Sequence, residues 1–182
     1  MQADGGVTRV TRRGDEILFW ANDGVSGHEI WKSDGTPQGT VLVKDLRPGS
    51  ANSQPIASFV RLGDMLMFSY DDGVNGRELW KTDGTAAGTV MVKNIWAGSS
   101  ASSPAALFAM DDYIFFSANS GDGTGANLWR SDGTEAGTFV VHDLPGNGTG
   151  PSQFARLWET KRCFTTSGSC MATTARTREP TS

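Results

Sequence analysis

At 182 residues the chain is long enough to bury about 70% of its unfolded surface in one body. Its 37% apolar content and mean hydropathy of −0.33 belong to a soluble globular protein. A net charge of −4 gives no global basic field for nucleic acid or anionic lipid, and no apolar run is long enough to span a membrane.

Residues 1–20 carry Asp4, Asp15 and Glu16 and no apolar core, so no signal peptide is expected in this chain. A first unit covers residues 5–46, with its second strand over 17–21 (Ile-Leu-Phe-Trp-Ala). The second unit, 54–95, shows all four expected strands: 55–62, 65–70, 77–81 and 89–95. Gly63-Asp64 and Asp83-Gly84 punctuate them, and no helical period of 3.6 is sustained. A third unit covers 103–144, with 113–117 (Tyr-Ile-Phe-Phe-Ser) as its second strand. A partial fourth unit begins at Pro151, with its first strand over 152–157. Residues 158–182 read as an irregular tail rich in Thr, Ser and Arg.

Trp31, Trp80 and Trp129 stand 49 residues apart both times, each within nearly the same phrase. A unit this small cannot bury its own apolar face and must stack on copies of itself. Four short antiparallel strands per unit predict an all-β fold of propeller blades, about three complete and one partial. The second strands, apolar in succession, fit sheets covered on both faces. A β-solenoid is the competing array, but its rungs are usually shorter.

Glu78-Leu79-Trp80-Lys81-Thr82-Asp83-Gly84-Thr85 resembles the motif that names the ELWxxDGT repeat family. The first copy has Ile30 in place of Leu and the third has Asn127 in place of Glu, and the resemblance covers residues 5–157. It implies a propeller-like fold in a large bacterial surface or secreted repeat protein. It supplies no catalytic residue.

The motif's own residues are expected to be structural. Asp34-Gly35, Asp83-Gly84 and Asp132-Gly133 have the chemistry of tight turns, the carboxylate accepting from backbone N–H groups ahead of it. Gly39, Gly88 and Gly137 are expected to let the chain re-enter a strand through a bulge. Each motif tryptophan is expected between sheets with its indole N–H bonded. Calcium is the cofactor alternative to none: Asp23, Asp71, Asp72 and Asp122 place oxygens in short glycine-bearing loops, without the spaced Asp-x-Asp-x-Asp-Gly pattern. His28 and His142 occupy different places in the repeat, with no nucleophile motif beside either. Trp96, after a fourth strand, could stack on a sugar ring or pack under a loop.

These readings converge on a non-catalytic scaffold for binding or adhesion, part of a larger extracellular or cell-surface protein, with protein or glycan as partner. The alternative is part of a polysaccharide-acting propeller hydrolase or lyase. Open blade edges and uncovered sheet faces predict self-association. The tail is either native or the product of a reading-frame slip. A codon frame shifted by one base permits Gly-Asp-x-x-Met-Phe after residue 158, like 63–68, and on that reading Cys163 and Cys170 have no role.

Overall fold

The computed structural model of the chain describes residues 6–49, 59–142, 163–166 and 169–172. Three four-stranded antiparallel meanders follow one another along the described chain. The first is β1 (Thr8–Arg13), β2 (Glu16–Asn22), β3 (His28–Ser33) and β4 (Val41–Lys44). The second is β5 (Val60–Leu62), β6 (Met65–Asp71), β7 (Arg77–Thr82) and β8 (Val90–Lys93). The third is β9 (Ala105–Met110), β10 (Tyr113–Asn119), β11 (Ala126–Ser131) and β12 (Phe139–His142). In the tail, β13 (Cys163–Thr166) and β14 (Ser169–Ala172) pair as a hairpin, so the stretch expected to be irregular carries local β-structure. The expected strand at 152–157 lies outside the described residues. Of the expected strand over 55–62, the described part is β5.

Each sheet keeps the same register. Phe19 faces Trp31, Phe68 faces Trp80 and Phe116 faces Trp129 across the central pair of strands. A bulge in each fourth strand breaks the pairing beside the motif tryptophan, between the partners of Ile30 and Trp31, of Leu79 and Trp80, and of Leu128 and Trp129. The bulge expected at Gly39, Gly88 and Gly137 is therefore farther along, inside the strand.

Because side chains alternate along a strand, a sheet has two faces. The second sheet buries both. Leu66, Phe68, Tyr70 and Trp80 join Leu18, Trp20, Ile30 and Val43 of the first sheet in one apolar core. Met67, Leu79 and Val92 join Ile114, Phe116, Ala118 and Trp129 of the third sheet in another. This explains the unbroken apolar run at 65–68: odd and even positions each have a sheet to face. The first core is aromatic at its centre. Trp20 is stacked between Phe59 (5.6 Å, 9°) and Tyr70 (5.2 Å, 11°), with Phe68 edge-on at 5.5 Å.

Polar contacts reinforce the stacking at equivalent positions. Lys44 Nζ donates to the Thr89 carbonyl at 2.7 Å, and Lys93 Nζ donates to the Thr138 carbonyl at 2.8 Å. The chain leaving each fourth strand also crosses toward the next sheet. Arg47 lies against Gly73, and Trp96 lies so close to Gly121 that a Cβ there would overlap its indole. Trp96 is thus packed under a loop, the second of its two expected placements.

Candidate functional site

The residues that repeat could carry either chemistry or architecture, and their surroundings decide between the two. The motif turn is a closed set of bonds. In the first copy Gly35 N–H donates to Ser33 Oγ (3.0 Å), and Ser33 and Thr40 hydroxyls meet at 2.7 Å. Thr40 Oγ1 donates to the Thr36 carbonyl at 2.7 Å, so its proton is used and Ser33 must be the donor to it. Asp34 Oδ1 accepts both the Thr36 N–H (2.9 Å) and the Thr36 hydroxyl (2.7 Å), as expected of the turn.

Every one of these bonds recurs around Asp83-Gly84 and Asp132-Gly133, with Thr82 or Ser131 in the place of Ser33. The second glycine is explained by crowding. A Cβ on Gly39, Gly88 or Gly137 would overlap the carboxylate of Asp34, Asp83 or Asp132. The hydroxyl just before the Asp, present in all three copies, was the sequence signal for this network.

The motif glutamate does something different. Glu29 and Glu78 are fully buried. Glu29 accepts the Leu46 N–H (2.9 Å), the Arg47 N–H (3.2 Å) and the Tyr70 hydroxyl of the next sheet (2.8 Å). Glu78 accepts the Ile95, Trp96 and Ser102 N–H groups at 2.9, 3.3 and 3.3 Å and the Ser102 hydroxyl at 2.6 Å. Each carboxylate clamps the segment that leaves its own fourth strand for the next sheet. In the third copy Asn127 stands in this place, buried, and donates to Thr124 Oγ1 at 2.8 Å. The glutamate's role was not foreseen from sequence, although two copies share it.

The motif tryptophans correct one expectation. Trp129 Nε1 donates to the Ala118 carbonyl at 3.0 Å, but the buried Nε1 atoms of Trp31 and Trp80 have no partner among the described residues. The register gives the reason for Trp80. The position of Ala118 is Tyr70 in the second sheet, and its ring meets Trp80 edge-on at 6.3 Å.

The loops joining second and third strands hold the calcium candidates. Asp23 Oδ1 accepts the Val25 and Ser26 N–H groups at 2.8 and 2.7 Å. Asp72 Oδ1 accepts the Val74 and Asn75 N–H groups at 2.9 and 2.7 Å. Asp122 Oδ1 accepts the Thr124 N–H at 2.9 Å and its hydroxyl at 2.5 Å. Asp71 accepts the Gly73 N–H at 2.8 Å and lies 3.7 Å from the Arg47 guanidinium. These oxygens close their own loops, and among the described residues no three His, Cys, Asp or Glu side chains are grouped to hold a metal. The loops present Val25 and Val74 at equivalent tips, 74% and 71% exposed. His28 begins β3 of the first sheet and His142 ends β12 of the third, with the second sheet between them. Among the described residues no helix is long and apolar enough to cross a membrane.

Burial pushes the carboxyls of Glu29 and Glu78 above the usual carboxylate range, against the bonds that favour ionisation. The Thr36, Thr85 and Thr134 hydroxyls hold Asp34, Asp83 and Asp132 below it, as the Ser26 N–H does for Asp23 and the Thr124 hydroxyl for Asp122. The two groups act on stability with opposite sign. A raised folded pKa contributes stability that is complete below the unfolded value and fades as pH rises through the folded one. A lowered pKa contributes stability above the unfolded value that fades as pH falls through the folded one. The unfolding temperature should therefore rise on going from pH 7 to about 5 and fall once pH drops below the ordinary Asp value near 3.9. A scan of melting temperature against pH checks this, and the Glu29→Gln/Glu78→Gln double variant should lose the rise and keep the fall.

No known protein-family model matches the chain, and a search of curated proteins found none similar to it.

Proposed function

We propose that the chain is a non-catalytic scaffold of propeller-type blades that binds protein or glycan at an extracellular or cell surface. The observation that carries this reading is the fate of the repeated polar groups. Glu29 and Glu78 are buried against backbone N–H groups, and Asp34, Asp83 and Asp132 close their own turns. The repeated carboxylates thus serve to hold sheets and turns in place. The blade reading draws on the face-to-face stacking of four-stranded meanders through equivalent residues, and on the resemblance to the ELWxxDGT repeat.

The binding surface we favour is the row of second-to-third-strand loops. Each is braced by its own Asp, so the ordering cost is met before a partner arrives. Val25 and Val74 then offer apolar tips on a polar rim.

The test is retention of the chain on immobilised glycans and extracellular proteins, alongside product release from the same polysaccharides. Saturable retention without new reducing ends is expected, with Val25→Asp/Val74→Asp weakening retention at unchanged melting temperature. Turnover of any polysaccharide by the purified chain would overturn the reading in favour of a hydrolase or lyase.

A further inference from the structure

The two internal interfaces allow a residue-by-residue comparison with the two outer faces. Call the face that meets the preceding sheet the front and the face that meets the following sheet the back. On the front, Leu66 and Ile114 are fully buried, whereas Ile17, at the same register position of the first sheet, is 37% exposed. On the back, Val43 and Val92 are 7% and 6% exposed, whereas Val141 of the third sheet is 44% exposed. These six residues occupy two register positions, and a described neighbouring sheet covers four of them but not Ile17 or Val141.

The polar contacts tell the same story. Lys81 Nζ, on the back of the second sheet, donates to the Gly133 carbonyl in the motif turn of the third at 2.7 Å. A Cβ placed on Gly84, in the second motif turn, would lie 3.5 Å from the Arg13 guanidinium of the first sheet. Among the described residues, Gly35, in the first motif turn, has nothing within 4 Å of its Cβ position. At the other end of the array Arg130 occupies the place of Lys81, paired to Phe115 as Lys81 is to Met67. Its guanidinium lies over Tyr113 and Phe139, and its buried Nε has no hydrogen-bond partner among the described residues. Among the described residues, a cation at one end lacks the motif-turn carbonyl that its counterpart uses, and a motif turn at the other end lacks a neighbour.

We infer that the back of the third sheet docks onto the front of the first sheet of a second copy of this chain, reproducing the internal interfaces. Arg130 then meets the Gly35 turn as Lys81 meets Gly133, and Val141 and Ile17 are covered as Val92 and Ile114 are. The contact is heterologous, so it continues from copy to copy until rotation closes a ring, or it extends as a filament. It rests on the scaffold reading only in treating each sheet as a stackable unit, and it adds the faces, the polarity and the occupant.

Because front and back differ, single-face variants form a complementary pair. Ile17→Glu removes the front and leaves the back, and Val141→Glu does the reverse. Sedimentation velocity on the full chain under reducing conditions should show wild-type species that grow with concentration. Each variant alone should stay monomeric, and an equimolar mixture should form a one-to-one dimer that goes no further. Should either glutamate lower the melting temperature, Ile17→Lys and Val141→Lys serve instead, since a lysine stem lies along apolar surface while its charge stays in water.

A monomeric wild type at every concentration overturns the inference, and would mean that other residues of the same chain cover these faces. So does a Val141→Glu sample that still associates, which requires front-to-front pairing, or an Ile17→Glu sample that does, which requires back-to-back pairing. A mixture that stays monomeric also overturns it. Failure here is distinct from failure of the scaffold reading: a monomer that is retained on a ligand leaves that reading intact, whereas polysaccharide turnover overturns it whatever the chain's state of association.

Discussion

Glu78→Gln is expected to lower the unfolding free energy by about 3 kcal/mol, far more than a carboxylate-to-amide exchange on a surface loop. Four donors converge on this carboxylate, and both its oxygens are used twice. Glutamine keeps the shape and one acceptor oxygen, but its NH₂, unlike the hydroxyl oxygen of a protonated carboxyl, has no lone pair to offer the two donors it must face. Either orientation leaves one pair, Ile95 N–H with Ser102 Oγ–H or Trp96 N–H with Ser102 N–H, facing another donor. Bonds to a charged acceptor are worth roughly 1.5–3 kcal/mol each, and a buried donor without a partner costs about 1–3 kcal/mol. Removing a buried charge recovers part of its desolvation cost, which keeps the total near the lower end of that sum. Urea unfolding should show a lower midpoint at unchanged slope, since the exposed surface on unfolding is the same. Asp83→Asn is the control. It sits on an exposed turn beside Thr85 and should cost well under half as much. A loss below about 1 kcal/mol for Glu78→Gln would show that the linker reorganises to satisfy its donors elsewhere.

The repeat made the sheets legible because period, strand length and turn chemistry all agreed. The expected second strand at 65–70 is Met65–Asp71 in the structure, and the expected third strand at 77–81 is Arg77–Thr82. What the sequence did not reveal is which motif residue faces inward, because that depends on neighbours 17 to 24 residues away. Glu78 reads as an ordinary polar residue in a short strand until the chain beyond β8 returns Ile95, Trp96 and Ser102 to it. The glycine at 39, 88 and 137 stood out in the repeat, but it was expected to mark a bulge that lies farther along the strand. Its cause, a carboxylate occupying the space of a side chain, is a three-dimensional fact. The loop carboxylates at 23, 71, 72 and 122 were legible as a cluster type but not as closed loops, since metal-binding and Asx-turn sequences draw on the same residues.

The stacking centre lay outside the motif altogether. Trp20 is fully buried between sheets, and Trp20→Ala should cost about 4 kcal/mol, the range for deleting a large aromatic from a core. The equivalent positions in the other two sheets are Ser69 and Ser117, so no repeat logic marks Trp20. Its stacking partner Tyr70 is matched by Ala21 and Ala118 in the same way. The first interface thus carries a large pair, Trp20 with Tyr70, at the positions where the second carries the small pair Ser69 and Ala118. The pair should be energetically coupled, because removing either ring leaves the other facing a void. In a double-mutant cycle, Trp20→Ala/Tyr70→Ala is expected to cost at least about 1 kcal/mol less than the sum of the single changes, the scale of stacked aromatic coupling. The Tyr70 hydroxyl adds a term of its own, since its bond to Glu29 Oε1 at 2.8 Å is also lost. Tyr70→Phe isolates that term and should leave the near-ultraviolet dichroism of Trp20 intact. A strictly additive cycle would mean that the first core relaxes around either deletion, and that the sheets slide on one another more freely than their shared register suggests.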